Sequence, residues 1–473
     1  MSSSDAPSSR PRIAVIGGGI SGLAAAHRLT EILPQAELVL FEATDRLGGV
    51  LDTVRRDGFL VERSADSFTT KYPWGVDLCR RLGLADELLP TDETRRRALV
   101  VRDGELLRVP DGFVLMTPHK RWPILTTRIL SWPGKLRLLA EPFVPRRPDG
   151  AAGDESVGAF ATRRLGREAY ERLVQPLLGG IHTADADRLS IAATFPEYVA
   201  QEQYHGRLQR GGATRVESGA RYGLFVAPKD GIGSLVAALA KRLPTATVRL
   251  NTPVVGLDRQ EQDRWRIVLG EGRAELFDAV IVALPAPAAA RLLSTCDTEL
   301  AAQLAAIEYA SCAVIGVAYR GDQLRRPLDG FGFVIPRIEK RPIIAGSFAS
   351  EKFPGRAPAG DAIIRVFIGG ALAPELTELP NDELRRVAHR ELATLLGARG
   401  EPLWTDIARW PASMPQYHVG HLQRVAQIEG CVTQLRGLEL AGNAYHGVGI
   451  PQCIHSGEVA AKKVSGTDSR IGS

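Results

Sequence analysis

Short apolar runs recur at the beginning, in the middle and near the end of the chain. Residues 12–16, Arg-Ile-Ala-Val-Ile, predict a buried strand, 20–33 predict a helix, and 37–42 predict a second strand, which together form one βαβ unit. Further short buried strands are predicted at 278–284 and 437–441. The simplest fold places all four strands in one sheet that is covered on both faces, with the intervening segments forming other units.

The segments between those strands carry different patterns. Residues 230–245 predict a helix, and alternating strands are predicted to follow over 247–269. Residues 300–410 combine strand patterns with a helix around 381–397, which suits a second unit. The first twelve residues are a polar Ser/Pro tail typical of disorder.

The composition is that of an ordinary globular protein with a large core. Of 473 residues, 44% are hydrophobic and 24% are charged, so two or three packed units are expected. The net charge of +5 is spread along the chain, and we expect no nucleic-acid partner. No run of residues is long and apolar enough to predict a membrane-spanning helix.

Five cysteines stand far apart in the sequence, without a CxxC pair: Cys79, Cys296, Cys312, Cys431 and Cys453. An odd number at these spacings favours neither a disulfide framework nor a zinc site, and it indicates a reducing, cytoplasmic compartment. The lack of CxxC also argues against a flavin disulfide reductase. We expect no metal site in this protein.

A glycine-rich turn joins the first strand to the first helix. Gly17, Gly19 and Gly22 fit the pattern G-x-G-x-x-G. The first glycine permits the tight turn, the second lets the backbone approach a pyrophosphate, and the third lets helix and strand pack closely. Free N–H groups at the positive end of the helix would then hold the phosphates. In this context the motif predicts a dinucleotide site.

The residues after the second strand distinguish between dinucleotides. Glu42 lies 20 residues after Gly22, the spacing expected for a carboxylate that binds ribose hydroxyls. The continuation through Arg46, Gly48 and Gly49 resembles the R-x-G-G segment of the amine oxidase and phytoene desaturase superfamily, where it extends the site toward a flavin. A nicotinamide enzyme has no evident use for this second glycine pair. The predicted cofactor is therefore FAD.

A second glycine-rich loop lies near the end of the chain. A strand ends at Gly442, and Pro451 begins a helix that is predicted to run to about Lys463. We expect the amino end of this helix to point at the flavin. Its partial positive charge would then stabilise negative charge on the pyrimidine end of the reduced ring.

Five segments, in order over nearly the whole chain, resemble the oxygen-dependent porphyrinogen oxidases of haem synthesis. They are DGFLVERSADSF (57–68), LLGGIHTADADRLS (177–190), NTPVVGLD (251–258), DAVIVALP (278–285) and AGNAYHGVGIPQCIHSGEVAA (441–461). This family contains the protoporphyrinogen IX oxidases and the closely similar coproporphyrinogen III oxidases.

The resemblance adds residues to the predicted cofactor site. It implies that Val448–Ile450 lie under the isoalloxazine, that Ala65–Ser67 lie near the flavin, that Val254 contacts the adenine side, and that Trp410 adjoins the ring. The complete predicted set is Gly17, Gly18, Gly19, Ile20, Ser21, Gly22, Glu42, Ala43, Arg46, Gly48, Gly49, Val50, Ala65, Asp66, Ser67, Val254, Trp410, Gly442, Val448, Gly449 and Ile450.

The family's reaction removes six hydrogens from a porphyrinogen and yields the aromatic porphyrin. By resemblance, the flavin accepts two hydrogens in each of three turnovers, and O2 reoxidises it to give hydrogen peroxide. The flavin carries this chemistry, so no side-chain nucleophile is required, and none stands out in the sequence.

Four residues are predicted to face the substrate. The resemblance places Gly180 and Ile181 on the reacting face, where a glycine would let the tetrapyrrole approach; a helix-ending glycine is the alternative. Propionates need cations, and Arg97 resembles a position where some family members use arginine for this, although it belongs to a run of three arginines that also suits a solvated face. Lys71 is the second candidate.

The expected fold class is α/β and α+β, with a discontinuous Rossmann-type FAD domain, a mixed-sheet substrate domain and a mainly helical domain. The FAD domain is predicted over 11–90, 225–292 and 405–465, and the substrate domain over 91–112, 190–224 and 293–404. The helical domain is predicted over 113–189, and disordered tails over 1–10 and 466–473.

The segment 113–147 interleaves aromatic and aliphatic residues with lysine and arginine. Two interpretations remain open: contact with an anionic bilayer on the cytoplasmic face, or a helical pair that packs on the core with a basic outer face. Other expected partners are the porphyrinogen, O2 and a downstream enzyme of the haem pathway. The oligomeric state is not predicted.

Three alternatives to a porphyrinogen oxidase are considered. They are a related flavin enzyme that acts on a carotenoid or an amine, a flavin-binding scaffold of haem synthesis without turnover, and a nicotinamide dehydrogenase. The last is disfavoured by Arg46, Gly48 and Gly49 and by the C-terminal loop. Between the two porphyrinogens, the absence of a predicted anchor favours coproporphyrinogen III slightly.

Overall fold

The computed structural model describes residues 10–148, 153–208 and 224–466. The predicted tails lie outside this part of the chain, except for Arg10 and Gly466. Within it, the fold class is the mixed α/β arrangement that the sequence predicts. No helix of the described residues is long and apolar enough to cross a membrane.

A five-stranded parallel sheet joins the beginning, middle and end of the chain. Its strands are, in spatial order, Val248–Arg249, Glu37–Phe41, Arg12–Ile16, Ala279–Val282 and Leu438–Leu440. Ile13 is paired with Ala279 on one side and Leu38 on the other. The prediction that four distant segments share one sheet is confirmed, and Val248–Arg249 adds the fifth strand.

Both faces of the parallel sheet are covered. Ile13 and Val15 point to a core formed with the helices Ile20–Ile32, Trp74–Leu82, Ile232–Arg242 and Ile450–Val464. Ala14 and Ile16 point to the opposite core, formed with the helices Ala286–Leu293, Thr298–Ala305 and His421–Thr433. Because alternate side chains of a strand point to opposite faces, both sets of strand residues must be apolar.

A seven-stranded mixed sheet forms the second large unit. Its spatial order is Trp404–Pro415, Tyr309–Arg320, Asp361–Gly369, Ala345–Phe348, Gly332–Val334, Leu99–Arg102 and Glu105–Arg108. The pair Gly332–Val334 and Leu99–Arg102 is parallel, and the others are antiparallel. Helix Asn381–Leu396 packs on this sheet. Trp404–Pro415 is an edge strand here, although the sequence assigns most of it to the FAD segment 405–465.

Smaller sheets complete the strands. They are the antiparallel set Val254–Arg259, Trp265–Leu269 and Ala274–Phe277, the set Phe68–Thr69, Phe225–Pro228 and Leu88–Pro90, and the hairpins Thr53–Arg56 with Phe59–Glu62 and Phe113–Val114 with Thr117–Pro118.

A helical unit follows the short hairpin at 113–118. Its helices are Trp122–Thr126, Trp132–Leu139, Val157–Leu165, Arg167–Ala169, the π-helix Tyr170–Val174, Gln175–His182, Ile191–Thr194 and Pro196–His205; the four-residue helix Ala349–Lys352 belongs to the mixed-sheet unit. Most apolar residues of the segment 113–147 are buried in one core. Lys135 is buried too, because its ammonium group donates to the carbonyl of Leu125 and lies over the Trp132 ring.

Candidate functional site

The first glycine-rich turn has a geometry that only glycine allows. Gly17 has φ of 108°, and a Cβ at Gly22 would lie 1.9 Å from the Gly17 carbonyl oxygen. These two glycines are therefore fixed by the turn and by close helix packing. Gly19 differs, because a Cβ there would have no described protein atom within 4 Å. The open side of Gly19 leaves room for a pyrophosphate against the backbone.

Glu42 supports this turn directly. One carboxylate oxygen accepts a hydrogen bond from the Gly18 N–H at 2.8 Å, and the other accepts from the N–H and hydroxyl of Thr44. The segment before Val254 lies alongside, since Thr252 N–H donates to the Glu42 carbonyl at 2.8 Å. Residues predicted to bind the adenine and ribose end are thus neighbours in space, beside Ala43.

Arg46 organises the second glycine pair instead of extending into solvent. Its guanidinium donates to the carbonyls of Leu47, Leu51 and Gly49, and it lies 6.0 Å from the centre of the Trp410 ring. Gly48 N–H donates to the Gly18 carbonyl, so the two predicted glycine motifs are joined. Val50, at the end of this turn, is exposed.

The C-terminal loop is held by a residue that the sequence does not indicate. The Tyr417 hydroxyl donates to the Asn443 carbonyl at 2.6 Å and accepts from the Gly447 N–H at 2.9 Å. The Tyr417 ring stacks on His421 with ring centres 3.9 Å apart. Tyr417 therefore fixes the path of the loop from Gly442 to Gly449. It comes from a segment whose own pattern carries no cofactor motif.

The helix after this loop begins without a side-chain cap. Its N-cap is Gly449, and Ile450 begins the helix, so the positive end is not neutralised by a described side chain. The Gln452 Oε1 atom is buried without a hydrogen-bond partner among the described residues, and it would lie 2.5 Å from a Cβ at Gly449. An unpaired buried acceptor beside an uncapped helix fits a ligand that presents both a donor and negative charge.

A network of charges links the glycine loops to the mixed sheet. Arg63 forms ion pairs with Asp52 and Asp406, and its carbonyl accepts a hydrogen bond from Trp410 Nε1 at 2.6 Å. The hydrogen bond to Asp406 and burial have opposite effects, and the net result is a raised pKa for Arg63. Trp410 is thereby placed beside Arg46 and the segment that continues to Ala65.

Asp66 and Ser67 are part of an ionic cluster with little exposure, called here the Asp66 cluster, whose other members are Lys352 and Arg365. Lys352 Nζ lies 2.8 Å from one Asp66 oxygen, and Arg365 lies 2.8 Å from the other. Ser67 donates to Asp66 and accepts from Lys352. Burial favours protonation of Asp66, but Lys352 and Arg365 outweigh it and lower the pKa of that carboxyl.

Gly180, on the predicted reacting face, packs against the mixed sheet. A Cβ at Gly180 would lie 3.1 Å from Val334 Cγ1 and 3.8 Å from Ala345 Cβ. Close packing on the mixed sheet therefore accounts for a glycine here, whether or not a substrate also approaches. Ile181 belongs to the same helix, and its side chain lies outside the described part of the structure.

Both predicted substrate cations already have carboxylate partners. Arg97 lies 2.7 Å from Asp329, and Lys71 lies 3.0 Å from Glu197. Their assignment to the substrate stays a prediction. Among the described residues, no group of acidic, histidine and cysteine side chains could hold a metal ion. Cys453, in the first turn of the helix Ile450–Val464, is buried, and burial raises the pKa of its thiol to about 12.

Comparison with known proteins identifies the family of this chain. The model of the flavin containing amine oxidoreductases matches residues 20–465. The chain belongs to this family. FAD is therefore its cofactor, and the open side of Gly19 together with the unpaired Gln452 acceptor fits that group. The residues that contact FAD remain those predicted from the sequence. Arg46 and Trp410 connect the second glycine pair to the segment that continues to Ala65.

Named relatives are similar over nearly their whole length. The chain is 34% identical to the coproporphyrinogen III oxidase of Propionibacterium freudenreichii subsp. freudenreichii, over 98% of this chain and 93% of the relative. It is 32% identical to the protoporphyrinogen oxidase of Bos taurus, over 96% and 98%. A crystal structure from Exiguobacterium sp. 255-15, whose assignment as a protoporphyrinogen oxidase is provisional, has a TM-score of 0.86 and 30% identity, with coverage of 97% and 99%.

Proposed function

We propose that this protein oxidises a porphyrinogen to the corresponding porphyrin, with O2 as the electron acceptor and hydrogen peroxide as the second product. The observation that carries the proposal is the similarity, over almost the entire chain, to relatives named for this oxidation. The five sequence segments with the same resemblance include the predicted flavin neighbours Ala65–Ser67 and Val448–Ile450. A place in haem synthesis follows from this reaction.

The residues of the chain have binding and positioning roles in this proposal. Bound FAD supplies the two-electron oxidation. The glycine turns and Glu42 hold its dinucleotide part, and Tyr417 fixes the loop at the ring end. In this proposal the tetrapyrrole lies beside the helix Gln175–His182, which packs on the mixed sheet at Gly180. No side-chain base is assigned, because positioning over the cofactor is the main requirement.

We further propose coproporphyrinogen III as the substrate. A tetrapyrrole with four propionates needs more cationic partners than one with two. The Asp66 cluster contains two cations, the buried Arg365 and the half-buried Lys352, in addition to the predicted Arg97 and Lys71. This supply of positive charge supports the more acidic substrate.

The proposal is tested with purified protein in air. Coproporphyrinogen III and protoporphyrinogen IX are supplied separately, and porphyrin fluorescence and oxygen consumption are recorded together, with a polyene and an amine as comparison substrates. We expect a yellow protein that forms coproporphyrin III fastest. Turnover of the amine or polyene alone, or FAD binding without any turnover, would contradict the proposed reaction.

We propose in addition that the helical unit contacts an anionic membrane surface. Four large apolar side chains are exposed in one stretch of sequence: Trp122 by 73%, Trp132 by 64%, Leu136 by 62% and Phe143 by 87%. Arg121 and Arg128 are exposed beside them. Exposed tryptophans next to basic residues suit the interface of a bilayer.

Sedimentation with vesicles tests this contact. We expect binding to vesicles that contain phosphatidylglycerol, weaker binding at high salt, and loss of binding when Trp122, Trp132 and Phe143 are all changed to serine. Tyr204→Ser is the matched control, because Tyr204 is also exposed, by 82%, but belongs to another helix. Equal sedimentation of both variants, or none by the unmodified protein, would contradict the proposal.

A further inference from the structure

The Asp66 cluster carries more positive than negative charge. Lys352 and Arg365 both pair with the single carboxylate of Asp66. Their side chains are 12% and 2% exposed, and that of Asp66 is 14% exposed. Glu62 also interacts with Arg365, but Arg356 interacts with Glu62 and Asp66 in turn, so one positive charge is left over in a place with little solvent. Such a charge is costly unless a further anion or set of dipoles stabilises it.

Hydrogen-bond donors in this cluster also remain unused. A lysine ammonium group has three N–H donors, and two of those of Lys352 are directed at Asp66 and Ser67. The Nε atom of Arg365 is buried without a partner among the described residues, while its other nitrogens contact Asp66 and the Ser64 carbonyl. The cluster is therefore short of acceptors as well as of negative charge.

Aromatic rings flank the Lys352 ammonium group. Nζ lies 5.9 Å from the centre of the Phe225 ring and 5.5 Å from that of Phe353. Phe353 is buried, whereas Phe225 is partly exposed. A cation between rings, with a small exposed fraction, can receive an amphipathic ligand that has flat apolar surface and a carboxylate.

Three segments meet at Lys352, and two of them carry predicted cofactor or substrate residues. Asp66 and Ser67 belong to the first, which continues to Lys71. The second precedes Arg97: Asp92 N–H donates to the Lys352 carbonyl at 3.2 Å. Lys352 itself ends the third, the short helix Ala349–Lys352, where Glu351 pairs with Arg95. Lys352 thus lies between the segment that leads to Lys71 and the segment that leads to Arg97.

We propose that Lys352 binds a carboxylate of the substrate and is a determinant of substrate specificity. This assignment rests on the proposed porphyrinogen oxidation. The substrate carboxylate accepts the remaining N–H of Lys352, so that two anions then face the two cations of the cluster. Arg97 and Lys71 contribute less, because Asp329 and Glu197 already balance their charges.

The test compares Lys352→Met and Lys352→Gln with the unmodified protein. Gln keeps a donor toward Asp66, and Arg365 still pairs with Asp66 in both variants. We expect KM for coproporphyrinogen III and the Kd for coproporphyrin III, measured by fluorescence, to rise about tenfold or more, as for the loss of one charge-assisted hydrogen bond. The effect is expected to be smaller for protoporphyrinogen IX. FAD content, flavin midpoint potential and kcat should change little.

Two controls define the outcome. Lys352→Arg keeps the charge and should remain within about threefold of the unmodified protein. Lys241→Met removes an exposed lysine at the end of helix Ile232–Arg242 and should have no effect. Unchanged KM and Kd in Lys352→Met, or a shifted potential at unchanged KM, would overturn this assignment while leaving the reaction intact. Failure of the unmodified protein to oxidise either porphyrinogen would overturn the proposed function itself.

Discussion

The predicted cofactor site and the proposed substrate site of this molecule consist of different kinds of chemical groups. At the cofactor end, backbone and glycines provide the site: Gly17 and Gly22 allow the turn, and Gly19 leaves open space. At the end where we propose that the substrate binds, long charged side chains from separate segments meet, as in the Asp66 cluster, whose Asp66 and Ser67 are also predicted to lie near the flavin. The first kind of site depends on local sequence, whereas the second depends on how distant segments pack.

This difference affects how each end responds to change. A backbone site tolerates almost no added atoms where glycines are required, because the clash is with main-chain atoms. A side-chain site loses its contacts one at a time, and ion pairs with solvent access contribute little. We therefore expect that glycine substitutions at the cofactor end either abolish FAD binding or leave it intact, and that substitutions at the substrate end change KM by degrees.

The largest expected effect is at Gly19. Gly19→Val should leave less than about a tenth of the FAD bound, because its side chain occupies the space open to the pyrophosphate. The apoprotein should still fold, since a Cβ at this position meets no described atom. Absorbance at the flavin maximum and thermal unfolding measure the two quantities. Gly430→Val, at another open position with ordinary φ, should bind FAD fully; a yellow Gly19→Val protein would remove the phosphate-turn assignment.

The next effect is expected at Tyr417. Tyr417→Phe leaves the Asn443 carbonyl and the Gly447 N–H without their shared partner, and we expect the FAD Kd to rise by about tenfold. Fluorescence titration of the apoprotein with FAD provides the measurement. Tyr445→Phe is the matched control, since the Tyr445 hydroxyl has no described partner. Equal affinity in both variants would show that Tyr417 does not hold the loop.

Acid should destabilise the folded protein in part through His421, which stacks on Tyr417. Burial lowers the pKa of His421 from 6.5 to about 4, so the unfolded chain binds this proton first as pH falls. Stability present above pH 6.5 is therefore lost on acidification, by about 2 kcal/mol between pH 6.5 and 5. Asp66, with a lowered pKa, stays ionised over this range. The free energy of unfolding, measured with urea at several pH values, should depend less on pH in His421→Phe than in the unmodified protein. Equal pH dependence in the two proteins would contradict this role of His421.

The smallest effects are expected at the two exposed cations of the substrate end. Arg97→Met and Lys71→Met should each raise KM for coproporphyrinogen III by no more than about threefold, because each charge is already paired. Steady-state kinetics of these two variants and of Lys352→Met, measured in parallel, compares the contributions of the three cations to KM. A larger effect at Arg97 than at Lys352 would reverse the proposed order.

The sequence predicted much of the parallel sheet because each of its strands has its own apolar run and turn. The glycine positions were equally predictable, since their spacing reflects local backbone geometry. The pairing of Trp404–Pro415 with Tyr309–Arg320 is a long-range contact, and it has no local signal in the sequence. Lys135 is one of the basic residues of the segment 113–147, yet it is buried, because it donates to the carbonyl of Leu125.

The candidate site was predictable only where motifs or a family resemblance exist. Tyr417 and Lys352 carry no motif, and each acts on a partner far away in sequence: Asn443 for Tyr417 and Asp66 for Lys352. Gly180 shows the reverse case. The resemblance gives it a substrate role, while the structure shows that packing against Val334 alone also requires a small residue.

The most direct test of the account is the stoichiometry of oxygen use. Purified protein is mixed in air with a known amount of coproporphyrinogen III, and O2 consumed, hydrogen peroxide formed and coproporphyrin III formed are measured in the same sample after subtraction of the uncatalysed reaction. The account predicts three O2 consumed and three hydrogen peroxide formed for each porphyrin, with bound FAD present throughout. A yellow protein that consumes no oxygen above the uncatalysed rate with coproporphyrinogen III or protoporphyrinogen IX would contradict it.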